Sequence, residues 1–142
     1  MERPIREGLF CPPESMQDGK PYLMGSRCKV CGYASFPQKE VCVRCLRDDT
    51  MEVAHFGPHG ILDSFAVMQV APPGFNSPYM QGYVILRDGP KVFTLITGCE
   101  PTEDALTVGD EMELVIEKIK EDEKGDDIIG WKFRPTAKRH RL

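Results

Sequence analysis

Four cysteines, Cys28, Cys31, Cys42 and Cys45, stand in the stretch "CKVCGYASFPQKEVCVRC" as two Cys-x-x-Cys pairs with ten residues between them. Two thiolates held two residues apart grip one metal ion, because the tight turn between them aims both sulfurs inward. Two such pairs supply the tetrahedral four-sulfur shell that Zn²⁺ accepts in structural sites. Gly32, directly after Cys31, suits that turn because glycine tolerates positive φ. The spacer is shorter than the 15–20 residues of the commoner pattern. It still leaves room for a short hairpin, with "YASFP" supplying a strand end. Four sulfurs leave no open coordination position, so the expected role is structural. Iron in a rubredoxin-like electron carrier uses the same ligands and stays open as an alternative.

The other chemically capable side chains do not assemble into a set. Cys11 and Cys99 have no histidine nearby in sequence and read as buried small residues. His55 and His59 flank "FGP" and read as turn or surface histidines, as does His140 near the end. Nucleophilic acyl transfer of any kind needs an activated nucleophile, a general base and oxyanion donors. No catalytic residue is therefore assigned.

The elements that must position the cysteines come next. The chain has 142 residues, 41% apolar and 28% charged, an ordinary balance for a packed domain. Its longest apolar run is far short of a membrane span, and "MERPIREGLF" carries no apolar signal region. The expectation is a soluble, cytoplasmic protein, where thiols stay reduced and six cysteines argue for metal rather than disulfides. Net charge is -4, but the final "KFRPTAKRHRL" holds five of the 18 Lys and Arg and no acid. Removing those five leaves 13 cations against 22 acids, so residues 1–131 sum to -9. A general nucleic-acid footprint would be basic over the fold itself.

Three parts follow from the pattern. Residues 1–20 are expected to form an amino-terminal helical segment, with Pro12 and Pro13 before Glu14 as a helix start and Gly19 as a stop. Residues 21–50 are a zinc ribbon entered by an extended "PYLMGSR". Residues 51–142 read as a β domain with a basic tail. "ILDSFAVMQV" is a strand, and "GYVILR", the turn "DGP" and "KVFTLITG" form a hairpin. "EMELVIEKI" puts Met112, Leu114 and Ile116 on one face, and "IIGWKF" groups Ile129, Trp131 and Phe133. "PTEDAL" is at most a helical turn, and "KEDEKGDD" is a solvated loop. The fold class is mainly β: the helical segment, a rubredoxin-like zinc ribbon, then a five-stranded OB-type barrel.

These parts carry a resemblance. The order of a short leading segment, a Cys-x2-Cys-Gly ribbon with "FP", a second Cys-x2-Cys, then "GILDSF" and "APPGFNSPY" resembles the DUF35 family of zinc-ribbon/OB-fold proteins over nearly the whole chain. The resemblance implies a non-catalytic partner of a thiolase-type acyl-CoA enzyme that bridges subunits and helps enclose coenzyme A. Relatives of this kind include small subunits of degradative thiolases, the benzoylsuccinyl-CoA thiolase among them. The implied partner is a thiolase-like chain in a hetero-oligomer, with structural Zn²⁺ here and coenzyme A or acyl-CoA shared with the partner.

Two further stretches gain meaning from that likeness. In "APPGFNSPYM" three prolines favour one extended shape, while Phe75, Tyr79 and Met80 place large apolar groups on a connection. Either the loop folds back over the barrel mouth, or Pro73, Gly74, Phe75 and Tyr79 contact the partner or the acyl-CoA. In the tail, Arg134, Lys138, Arg139 and Arg141 are either a solvated terminus, a docking patch for an acidic partner, or contacts to coenzyme A phosphates. The rival class is nucleic-acid binding, since Tyr83 and Phe93 interleave with Arg87 and Lys91. The acidic body argues against it.

Overall fold

Alternating apolar residues dictate strands, and strands are what a computed structural model of the chain contains. It describes residues 2–4, 9–11, 20–73, 77–87, 89–121 and 123–136. Strand β1 covers Glu2–Pro4, β2 Leu23–Cys28, β3 Ala34–Ser35 and β4 Met51–Phe56. The five longer strands are β5 His59–Met68, β6 Tyr79–Leu86, β7 Lys91–Ile96, β8 Glu111–Glu121 and β9 Asp127–Pro135.

A small antiparallel sheet, ordered β3-β2-β4, carries the cysteine knuckles. Its register pairs Leu23 with Phe56 and Cys28 with Met51, so β4 runs the full length of β2. The long strands form a second sheet in the order β9-β7-β6-β5-β8, and β8 pairs back onto β9 to close it. That closed five-stranded cylinder is the expected OB-like barrel. Closure leaves its strands with few unpaired edges. The β6–β7 hairpin pairs Tyr83 with Phe93 and Val84 with Val92.

Period two sorts the side chains. Met80, Val84 and Leu86 of β6, with Val92, Thr94 and Ile96 of β7, are buried, whereas Tyr83, Ile85 and Phe93 face outward. Phe56, Leu62, Met112, Leu114 and Phe133 fill the centre with almost no exposure. Leu23 from β2 and Phe56 from β4 belong to the same apolar cluster as the barrel residues, so ribbon and barrel share one core. Strand β5 shifts register between Leu62 and Ser64. Across from that bulge a Cβ on Gly82 would collide with the Ser64 carbonyl and the Phe65 backbone, so only glycine lets β6 lie so close.

The amino-terminal expectation needs correction. Among the described residues there is no helix, and those described within 1–20 are β-like. Strand β1 lies parallel to β9, pairing Glu2 with Asp127. Phe10 bridges Leu23, the Cys11 N–H donates to the Tyr22 carbonyl at 3.1 Å, and the Met24 N–H donates to the Leu9 carbonyl at 2.9 Å. Leu9, Phe10 and Cys11 are all buried, a continuous apolar run suited to an extended segment laid against β2. Residues 12–19, on which the helical reading rests, lie outside the described residues. Among the described residues no helix is long and apolar enough to cross a membrane.

The phase of β9 also departs from simple alternation. Phe133 and Ile128 are buried, while Ile129 and Trp131 are only partly so. Burial changes phase around Trp131 and Lys132, where β9 stays in register with Ile116 and Val115 of β8. Trp131 turns its edge to Phe36 of the ribbon, with ring centroids 5.2 Å apart at 86°.

Candidate functional site

Two knuckles of the same design bring the cysteines together. In the first, the Cys28 N–H donates to the Tyr33 carbonyl at 2.8 Å and the Gly32 N–H donates to the Cys28 carbonyl at 2.9 Å. In the second, the Cys42 N–H donates to the Arg47 carbonyl at 2.9 Å and the Leu46 N–H to the Cys42 carbonyl at 2.7 Å. Each knuckle also aims a backbone donor at a sulfur. The Cys31 N–H lies 3.5 Å from Cys28 Sγ, and the Cys45 N–H lies 3.3 Å from Cys42 Sγ. The residue after each second cysteine is left-handed: Gly32 at φ 80° and Leu46 at φ 61°. Glycine takes that conformation freely, whereas leucine adopts it only when its surroundings impose it.

All four sulfurs lie within 4.8 Å of one another. Cys28 and Cys45 are 3.9 Å apart and Cys31 and Cys42 3.6 Å. A metal–sulfur bond of about 2.3 Å gives a tetrahedron with edges of roughly 3.8 Å, so this donor set fits a four-thiolate ion. Cys28 and Cys42 are buried, and Cys31 and Cys45 are partly open. The Thr50 hydroxyl, itself buried, sits 3.2 Å from Cys28 Sγ. It draws the Cys28 thiol down to about 6, helped by the Cys31 backbone N–H. Cys45 is pushed up to about 12, first by its hydrogen bond with Cys31. With four sulfurs around it the ion would have no open position; what it supplies is a cross-link between the two knuckles.

The remaining titratable candidates are dispersed. His55 stacks on Tyr22, with centroids 4.1 Å apart, and His59 Nε2 lies 3.9 Å from a Glu113 carboxylate oxygen. Cys11 is fully buried, and its sulfur accepts the Tyr22 N–H at 3.3 Å. Cys99 is half-buried, and burial raises its thiol above the ordinary value.

Comparison with known proteins bears on both halves. Residues 19–52 match the family described as the ChsH2 rubredoxin-like zinc ribbon domain, and residues 54–117 match the ChsH2 C-terminal OB-fold domain. A DUF35 domain-containing scaffold protein of Methanothermobacter thermautotrophicus is 34% identical over 118 residues, 81% of this chain and 87% of that protein. The chain belongs to the DUF35 family. A second relative, the benzoylsuccinyl-CoA thiolase subunit BbsA of Thauera aromatica, is 32% identical over 85% of this chain and 82% of its own length. A solved Ltp2-ChsH2(DUF35) aldolase superposes with a TM-score of 0.66, covering 82% of this chain and 86% of that one. At 24% identity that likeness speaks for the DUF35 fold alone.

The other expected contact residues of this DUF35 chain fall unevenly. Pro73 is exposed beyond the end of β5, and Tyr79 is half-buried in a groove shared with Phe93, Leu95 and Trp131. Gly74 and Phe75 lie outside the described residues, as do Lys138, Arg139, His140 and Arg141. Arg134 donates from Nε to a Glu113 carboxylate oxygen at 2.8 Å, so its charge is matched across the β8–β9 pair. Sequence reading singled out Tyr83 and Phe93, which pair on neighbouring strands, but missed that Ile61 and Ile85, also paired, extend the same outward band. All four residues are exposed. Their alternation with buried residues was the available signal.

Proposed function

We propose that this chain is the non-catalytic scaffold subunit of a thiolase-type acyl-CoA acyltransferase complex, acting in degradative thiolysis. It supports assembly and coenzyme A binding in the cytoplasm, and the thiolase-like partner supplies the nucleophile and base. The observation that carries the reading is a relative named as a thiolase subunit that aligns over 85% of this chain. The architecture agrees: a thiol cluster fit for a structural ion, a shared core, and an exposed apolar band of Ile61, Tyr83, Ile85 and Phe93. Contiguous exposed apolar surface of this kind suits a protein interface. On this reading Cys28, Cys31, Cys42 and Cys45 hold Zn²⁺. Pro73, Gly74, Phe75 and Tyr79 meet the partner or the acyl-CoA, and Arg134, Lys138 and Arg139 meet coenzyme A phosphate.

Nucleic-acid binding is not favoured. Tyr83 and Phe93 meet edge to face, with centroids 5.5 Å apart, and Lys91 is drawn to Asp63 at 3.3 Å. Neither arrangement offers bases an open stacking platform flanked by free cations. Co-expression with a thiolase-like chain tests the proposal: the two should co-purify, and the complex should cleave an acyl-CoA with coenzyme A. Failure to associate, or turnover by this chain alone that is lost on replacing Cys99 or Cys11, would overturn it.

A further inference from the structure

A cleft of about 480 Å³ opens where the ribbon meets the turn of the β6–β7 hairpin. Arg27, Lys39 and Arg44 enter it from the ribbon and Lys91 from the barrel, and its described lining contains no acid. This is a local reversal in a chain whose net charge is -4. The four cations come from separate stretches of sequence, and only the fold gathers them.

Two of them are already oriented. The Arg27 guanidinium donates from Nη1 to the Gly32 carbonyl at 3.1 Å and lies 5.5 Å from the Phe56 ring centre. The Arg44 guanidinium lies 5.5 Å from the Tyr33 ring centre. Stacked guanidiniums lose less freedom when they engage an anion than free ones do. Lys91 leans on Asp63, while Lys39 projects from an exposed position. A Cβ on Gly89 would sit 2.7 Å from the Ala34 side chain, so ribbon and hairpin touch there and fix one end of the cleft.

We propose that this cleft binds a phosphate-bearing anion, with Lys39, Arg44, Arg27 and Lys91 as its cationic wall. Several cations around one cleft match the multiple charge of a phosphate or diphosphate better than a single carboxylate, and guanidinium forks suit phosphate oxygens. The site stands on its own geometry. Its assignment to the nucleotide end of coenzyme A, rather than to free phosphate, rests on the proposed function.

The test uses the full chain with its metal bound and no partner present, so that it fails or succeeds independently of assembly. Inorganic phosphate, ADP and coenzyme A are each titrated calorimetrically at low and high salt. All three should bind, more weakly as salt rises. Lys39→Ala and Arg44→Ala should each weaken binding about tenfold, the loss expected for one hydrogen bond to a charged group. Lys124→Ala, on the loop between β8 and β9, should not alter it. Tighter binding of ADP and coenzyme A than of phosphate identifies the nucleotide end; equal affinity identifies free phosphate. The proposal is overturned if none of the three binds, or if the cleft variants bind as Lys124→Ala does. It also falls if the cleft variants keep phosphate affinity and lose only the partner, since the occupant is then an acidic protein segment.

Discussion

Replacing Thr50 by valine keeps the shape of a buried, β-branched side chain and removes one hydroxyl. That hydroxyl lies 3.2 Å from Cys28 Sγ and is the largest cause of the lowered Cys28 value. The backbone at position 50 should hold, because its carbonyl still accepts the Lys29 N–H at 2.8 Å. Cys28 would then keep its backbone donors, the Cys31 N–H at 3.5 Å and the Val30 N–H. Outer partners of metal ligands are commonly worth about 10–100-fold in affinity, and the surviving donors place this case at the lower end, about 10–30-fold. Competition for Zn²⁺ against a coloured chelator at neutral pH measures the change. The melting temperature of the metal-free protein serves as the control and should hardly move. An affinity within twofold of the parent, or an equal loss of stability with and without metal, would refute the argument that the hydroxyl acts through the sulfur.

Other outcomes follow from the same structure. Cys42→Ser should abolish stoichiometric zinc in elemental analysis and prevent partner assembly, whereas an iron–thiolate spectrum at full occupancy of the parent protein would reassign the ion. Phe133→Ala empties the centre of the strand that closes the barrel, and calorimetry should show a loss of about 3–5 kcal/mol, or a fall in melting temperature of roughly 10 °C. Phe75→Ala should weaken partner binding by about 2–4 kcal/mol at unchanged melting temperature. A large drop in melting temperature with intact binding would instead place that ring in the barrel.

What the sequence revealed depended on how local each signal was. The cysteine pairs are local, so spacing alone exposed the four-sulfur cluster. The β6–β7 hairpin and the β8–β9 pair were legible because period two and short turns are also local. Leu46 was not: nothing about leucine announces a left-handed position, and only the parallel with Gly32 in the folded knuckles reveals it. Thr50 was equally silent, since its role depends on β4 lying alongside β2 and returning the chain to Cys28. The helical reading of residues 1–20 gave weight to prolines and missed that Leu9, Phe10 and Cys11 form a run with no helical period. The basic cleft is the least local of all. Ser35 and Lys39 say nothing until the hairpin turn at Gly89 closes over them.

The wiring of the two sheets also fixes an order of assembly during synthesis. Every strand partner of the ribbon sheet, and all four sulfurs, fall between residues 23 and 56. The barrel closes only through β9, which joins β8 on one side and β7 and β1 on the other. At about 5–20 residues per second, the ribosome needs several seconds to travel from the end of β4 to the end of β9. Throughout that interval the thiols are complete as a set while the barrel lacks its closing strand. The ribbon therefore has its complete ligand set available to a metal before the barrel has the strand that closes it.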